Sequence, residues 1–344
     1  VEPQVMQSVG NPLMWTVFGV VVLGSLALDL FVFHRKVHEV RTREAGTWVL
    51  IWVGLAVAFG VWIWLEAGSG AGLEFATGYL VEYALSVDNI FVFIVIFRYF
   101  GTPAALRHRV LFWGILGAVV LRGIFVVAGA ALISRFEWII YVFGAFLLWT
   151  GIGLLRKSEM EVDPEKNPVL HFLRRHLRIA KQGDVEHFVT RIDGKLYATP
   201  LLVVLLVIEA TDVVFAVDSI PAIFGITKDP FIVFTSNIFA VLGLRAVYFL
   251  LHGLMDRFAY LHYGLGLVLA FIGAKMLIAH WVHIPVQWSL AVVAGLLGGS
   301  VVLSWLFAPE DKKVVAMAEA ERHENEGAGE GELAERRHSG ESAR

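Results

Sequence analysis

The sequence predicts an all-α polytopic membrane protein of about nine transmembrane helices with an inverted three-helix repeat. Three observations lead there: long unbroken apolar runs, basic residues concentrated in alternate connections, and two matching blocks of acids and arginines. Of the 344 residues, 57% are hydrophobic and only 17% charged, with a mean hydropathy of +0.69. Soluble domains carry about 25% charged residues. A soluble enzyme, a disordered chain and a disulfide-stapled secreted domain are all disfavoured, the last because the chain has no Cys. A net charge of −3 gives no reason to expect a nucleic-acid partner. The expected environment is the lipid bilayer.

A spanning helix needs roughly 20 mostly apolar residues. Nine runs qualify: 13–33, 46–65, 75–97, 109–132, 137–155, 200–222, 230–251, 260–281 and 286–307. They are continuous instead of alternating, and much longer than a membrane strand of about ten residues, so helices are expected and not a barrel. Arg35, Lys36, Arg41 and Arg43 follow the first run, Arg98, Arg107 and Arg109 follow the third, and nine Lys and Arg lie within 156–199. The intervening connections are poor in basic residues: none in Glu66–Glu74, Arg135 alone, Lys228 alone, and none around His283. Basic loops stay cytoplasmic, so the amino terminus is expected outside and the carboxyl terminus inside a bacterial plasma (inner) membrane. The first run has no basic residues before it and reads as an anchor, not a secretory signal peptide.

Residues 1–307 form the expected transmembrane transporter domain, with repeats at 75–155 and 200–281 and a cytoplasmic insertion at 156–199. Within the insertion, His171–Arg178 reads as a short basic amphipathic helix, and Phe188–Ile192 with Lys195–Ala198 as a hairpin about Asp193-Gly194. Residues 308–344 read as a disordered acidic cytoplasmic tail, with ten acids and six bases from Glu310 onward.

The repeat rests on Val87-Asp88-Asn89-Ile90 matching Val217-Asp218-Ser219-Ile220, each with an acid six residues upstream, Glu82 and Asp212. Leu121-Arg122-Gly123-Ile124-Phe125 then matches Leu244-Arg245-Ala246-Val247-Tyr248, and Gly144–Leu155 matches Gly266–Leu277. A unit of three spans must re-enter the membrane from the opposite side, an arrangement common in secondary transporters, whose sites lie near the midplane between the copies.

Six carboxylates fall within apolar runs: Asp29, Glu82, Asp88, Glu209, Asp212 and Asp218. Each charge at a helix centre costs roughly 2.5–3.5 kcal/mol, so six cost on the order of 15–20 kcal/mol if unrelieved. Arg122, Arg245 and Lys275 are the three comparably placed bases. The excess of acids points to protons, water or a bound cation. On a regular helix Glu82, Ser86 and Asn89 share a face with Asp88 about 120° away, and Glu209 and Asp212 share a face with Asp218 roughly opposite Glu209. Pro221 is expected to break the helix near 217–221 and free carbonyls beside Asp218 and Ser219.

Carboxylates, the Asn89 amide and the Ser219 hydroxyl are hard oxygen ligands suited to Mg²⁺, Ca²⁺ or Mn²⁺. Thiolates for Cu⁺ are absent, and no His in the acidic runs favours Zn²⁺. His34 and His38, at i,i+4 spacing, read more simply as solvated interfacial residues. No nucleophile–base pair or GxSxG-type elbow points to an enzyme.

Glu82–Asn89 (EYALSVDN) and Glu209–Ala222 (EATDVVFAVDSIPA) resemble the paired signatures of the TerC/Alx family of membrane proteins. Thr235–Ala240, Gly243-Leu244-Arg245, Leu28-Asp29-Leu30 and Phe33–Lys36 add to the resemblance, which covers about 13–307. It implies an inner-membrane protein linked to tellurium resistance by name and to Mn²⁺ export by the family's better-understood members. The implied metal path is Glu82, Asp88, Asn89, Glu209, Asp212, Asp218 and Ser219, with Asp29, Arg122, Arg245 and Lys275 as supporting charge. Mn²⁺ is then a transported substrate and not a resident cofactor. Tellurite itself is disfavoured, because an oxyanion would meet an excess of acids. The alternative expectation is a scaffold that aids insertion or metalation of other membrane or exported proteins through 156–199.

Overall fold

The computed structural model describes residues 8–33, 42–156, 170, 172–173, 175, 179–180, 187–192, 194–251, 260–282 and 284–307. His34, Arg35, Lys36, His38, His283, most of 157–186 and the tail from 308 lie outside the described residues, as do the side chains of Asp29 and Asp88.

The chain folds into ten described helices and one small hairpin. The helices are α1 (Pro12–Phe33), α2 (Thr42–Ala67), α3 (Ser69–Tyr99), α4 (Ala104–Arg135), α5 (Ile139–Arg156), α6 (Pro200–Phe224), α7 (Pro230–Leu242), α8 (Leu244–Leu251), α9 (Leu261–Ile278) and α10 (Val286–Leu306). The hairpin, β1 (Val189–Ile192) with β2 (Lys195–Ala198), is antiparallel with Ile192 opposite Lys195, as the sequence suggests.

Seven helices, α2 to α6 with α9 and α10, are long and apolar enough to cross a membrane. The bent pair α7–α8 supplies an eighth crossing if taken as one span. The expected nine is not reached among the described residues, for two reasons. The run 230–251 is interrupted at Gly243, where the axis turns by 40°, and Gly is the weakest helix former after Pro. In the first run α1 is apolar over Pro12–Leu28, and the side chains of 29–33 lie outside the described residues. Pro221 does not break α6, which continues to Phe224. It stands in the last turn, where its missing N–H deprives only the Val217 carbonyl.

Short turns make successive helices antiparallel, so the bundle has a basic end, carrying Arg98, Arg107, Arg109 and Arg156, and an opposite end. α3 is the central helix, packed by α2, α6, α7, α8 and α10. Near the start of α3, Phe59, Phe75 and Phe239 pack with centroids 4.7–6.0 Å apart, fixing α2 and α7 against it. At the basic end Leu170 and Leu173 of the long connection are buried among Phe97, Tyr248 and Leu251, while Phe172 stays exposed. Arg109 lies over the Phe188 ring at 5.6 Å and ties the connection to α4.

The closest helix pair is α5 with α9. A Cβ on Gly151 would lie 2.6 Å from both Ala270 N and Gly266 O, and one on Gly273 would lie 2.6 Å from Gly144 O and Leu148 N. Small residues let backbones approach this closely inside a membrane. Gly144 and Gly151 occupy the same places in the first matching block as Gly266 and Gly273 in the second. The contacts run crosswise, 144 to 273 and 151 to 266, so the two blocks meet through equivalent surfaces.

Candidate functional site

Local sequence sets the starts of the two helices that bring polar side chains against α3. Thr199 caps α6, accepting from Leu202 N, with Pro200 in the first turn. Asp229 caps α7, accepting from Phe231 N at 2.8 Å and Ile232 N at 3.3 Å, and also from Ser8 Oγ at 3.0 Å and Val9 N at 2.6 Å. Asp and Thr are favoured N-caps, and Pro suits the first helical position.

Halfway through the bundle, α3, α4, α6 and α7 converge on Arg122. Its Nε donates to Asp212 Oδ2 at 3.3 Å and its Nη2 to Asp212 Oδ1 at 3.0 Å. Nη1 donates to Asn237 Oδ1 at 3.1 Å and forms an ion pair with Glu82 Oε1. Arg122, Glu82 and Asn237 are fully buried and Asp212 is 3% exposed. The matched acids Glu82 and Asp212 thus share one guanidinium, and two charges of one sign are met by one of the other. The planar fork of Arg suits the bidentate contact.

Further buried polar groups lie along the helices that form this cluster. Ser86, one turn after Glu82, and Asn89 are both buried on α3. Among the described residues, the Ser86 hydroxyl, Asn237 Nδ2 and the Ser219 hydroxyl find no hydrogen-bond partner, and the Glu82 oxygens gain none beyond the ion pair. Native interiors rarely leave such groups unmet.

Glu209 takes a separate place. Its carboxylate lies against the backbone of α4 at Gly117, in space that a Cβ there would occupy. Glu209 and Asp212 line a cavity of about 20 Å³ with Gly114, Ala118, Phe93 and Val241, room for about one water. Asp218 faces another neighbour: it accepts from Thr150 Oγ1 of α5 at 3.4 Å. Arg245, equivalent in sequence to Arg122, is 3% exposed. Lys275 is not with them; in the last turn of α9 it lines a vestibule of about 770 Å³ at the opposite end, with Glu74, Glu137, Thr227, Lys228 and His280. There Thr227 Oγ1 donates to Glu74 Oε2 at 2.5 Å.

The sequence-derived ligands whose side chains are described therefore do not form one closed cage. Glu82 and Asp212 meet at Arg122, Ser86 and Asn89 are buried further along α3, Glu209 borders the cluster through the small cavity, and Asp218 points to α5. Among the described residues no group of three or more His, Asp or Glu is gathered to hold a metal ion. The roles of Asn237, Thr150 and Gly117 escaped sequence reasoning. An Asn within an apolar run was the one available signal.

Residues 67–313 match the integral membrane protein TerC family. The chain belongs to the TerC family. An uncharacterized membrane protein of Myxococcus xanthus is 52% identical over 297 residues, covering 86% of this chain and 93% of that one. In Escherichia coli (strain K12) a TerC relative named Alx, described as a proposed membrane-bound redox modulator, is 49% identical over 318 residues, 90% of this chain and 99% of its own. The Salmonella typhi protein of the same name is 48% identical over 321 residues, with 90% and 100% coverage. No solved structure matches the chain.

Proposed function

We propose that this TerC protein exports a hard divalent cation, Mn²⁺ above all, across the bacterial plasma membrane, with its amino terminus outside and its carboxyl terminus in the cytoplasm. The observation that carries this reading is the meeting of Glu82 and Asp212, from α3 and α6, at a fully buried cluster with unsatisfied oxygens. Acids at membrane depth mark ion pathways, and the crosswise contacts of α5 and α9 support an inverted repeat, the arrangement in which sites lie between the copies. The vestibule is the corresponding outer mouth. A thiol–disulfide route to redox modulation would need another molecule, because this chain has no Cys.

The test is total cellular manganese, by elemental mass spectrometry, in a manganese-stressed host lacking its own exporter. Expression of the wild-type chain is expected to lower manganese, and Asp88→Asn and Asp218→Asn to abolish that effect at matched expression. Unchanged manganese in all three would overturn Mn²⁺ export. Glu209→Gln is expected to abolish the lowering of manganese too, and Gly117→Ala to act like it, because the added methyl displaces the Glu209 carboxylate without changing any ionisable group. Its unfolding temperature should stay within about 4 °C of wild type.

A second reading, a scaffold for other membrane or exported proteins, is favoured by the exposed Phe172, Val189 and Leu196 of the long connection. Replacing those three by Ser would then abolish function, while Asp88→Asn would leave it intact.

A further inference from the structure

Arg122 stands where a hard cation bound by both repeats would stand. It contacts one carboxylate from each matching block, at equivalent positions, and both are buried. We propose that the Arg122 guanidinium is a tethered substitute for the transported cation, which an arriving ion displaces from Glu82 and Asp212. The proposal rests on the transport reading above and says how the same site is regulated.

Three features of the cluster support it. A transporter must pass through an ion-free state, and two facing carboxylates without a counter-charge in a buried interior would be strongly unfavourable; Arg122 supplies the counter-charge from within the chain. The site also has oxygens to spare for an ion, since Ser86 Oγ is unpartnered and the Glu82 oxygens make no further hydrogen bond. Finally, Arg122 has a neutral hold. Its Nη1 donates to Asn237 Oδ1, a contact that survives when the carboxylates turn to a metal.

Substitution and competition predict opposite signs from a plain structural role. If Arg122 fills the site in most molecules, the apparent affinity for the ion is reduced by the small fraction in which the site is open. Removing the guanidinium should then tighten binding, whereas a purely structural arginine would, when lost, loosen the site and weaken it.

The experiment measures Mn²⁺ alone binding to purified full-length protein in lipid nanodiscs, from the loss of the free Mn²⁺ electron paramagnetic resonance signal. Wild type, Arg122→Gln, Arg122→Lys and Arg122→Gln/Glu82→Gln are compared. The expected result is Arg122→Gln binding at least about tenfold more tightly than wild type, with the gain lost in the double variant. Arg122→Lys keeps the charge but not the two-pronged grip on Asp212, so its gain should be smaller, and it decides the matter if Arg122→Gln does not fold. Equal or weaker binding in the folded Arg122 variants, with wild type binding Mn²⁺, overturns the tethered-cation proposal and leaves the transport reading standing. No binding by wild type or by any folded Arg122 variant overturns both.

Discussion

Arg122→Leu is expected to lower resistance to unfolding by about 3–5 kcal/mol, because it strands two carboxylates in an interior from which water is excluded. The loss should appear as a reduced denaturation midpoint of the purified protein in detergent. The decisive comparison is Arg122→Leu/Glu82→Leu/Asp212→Leu. Replacing a whole buried ionic group by apolar side chains is often neutral or stabilising by about 1–4 kcal/mol. The triple variant should therefore recover the midpoint while losing manganese export completely. Such a result would separate what the cluster does for stability from what it does for the ion. A triple variant as unstable as Arg122→Leu would mean that the polar cluster is itself required for the fold.

The second large effect is expected where α5 meets α9. Gly151→Ala and Gly273→Ala should each cost about 1–3 kcal/mol, since the added methyl meets backbone atoms that cannot swing aside. Gly151→Leu should prevent recovery of folded protein. Gly298→Ala is the matched control, as nothing lies within 4 Å of the added atom; it should be neutral or gain up to about 1 kcal/mol from the better helix former. Unfolding temperatures in one detergent distinguish these outcomes. Equal effects at positions 151 and 298 would mean that the close approach carries no energy.

Much of the architecture was readable because a bilayer imposes both a length and a composition on each crossing, and runs such as 46–65 and 286–307 satisfy both. The turn at Gly243 was not readable: one Gly in an apolar run is compatible with a straight helix or a bent one. Pro221 misled for a related reason, since its effect depends on how far the helix continues, and α6 ends three residues later. The acids announced themselves by standing in the wrong solvent. Periodicity put Glu82, Ser86 and Asn89 on one face of α3, and all three are buried. It could not say which helix that face would meet, so the sharing of Arg122 between Glu82 and Asp212, and the part of Asn237, became visible only when α4 and α7 were placed. Likewise, nothing in the spacing of Asp218 indicates that it reaches Thr150.

That last contact has a mechanical consequence. α5 and α9 touch backbone to backbone through their glycines, leaving no slack for one to slide along the other, so they act as a single stiff lever. α6 carries Asp212 and Asp218 and is attached to this lever by the Thr150–Asp218 hydrogen bond, a long one at 3.4 Å. Any swing of the lever must either drag Asp218 with it or let it go. Under the transport reading, drawing Asp218 toward an ion would therefore loosen the joint that holds the lever still, and the ion ligand would double as a release catch.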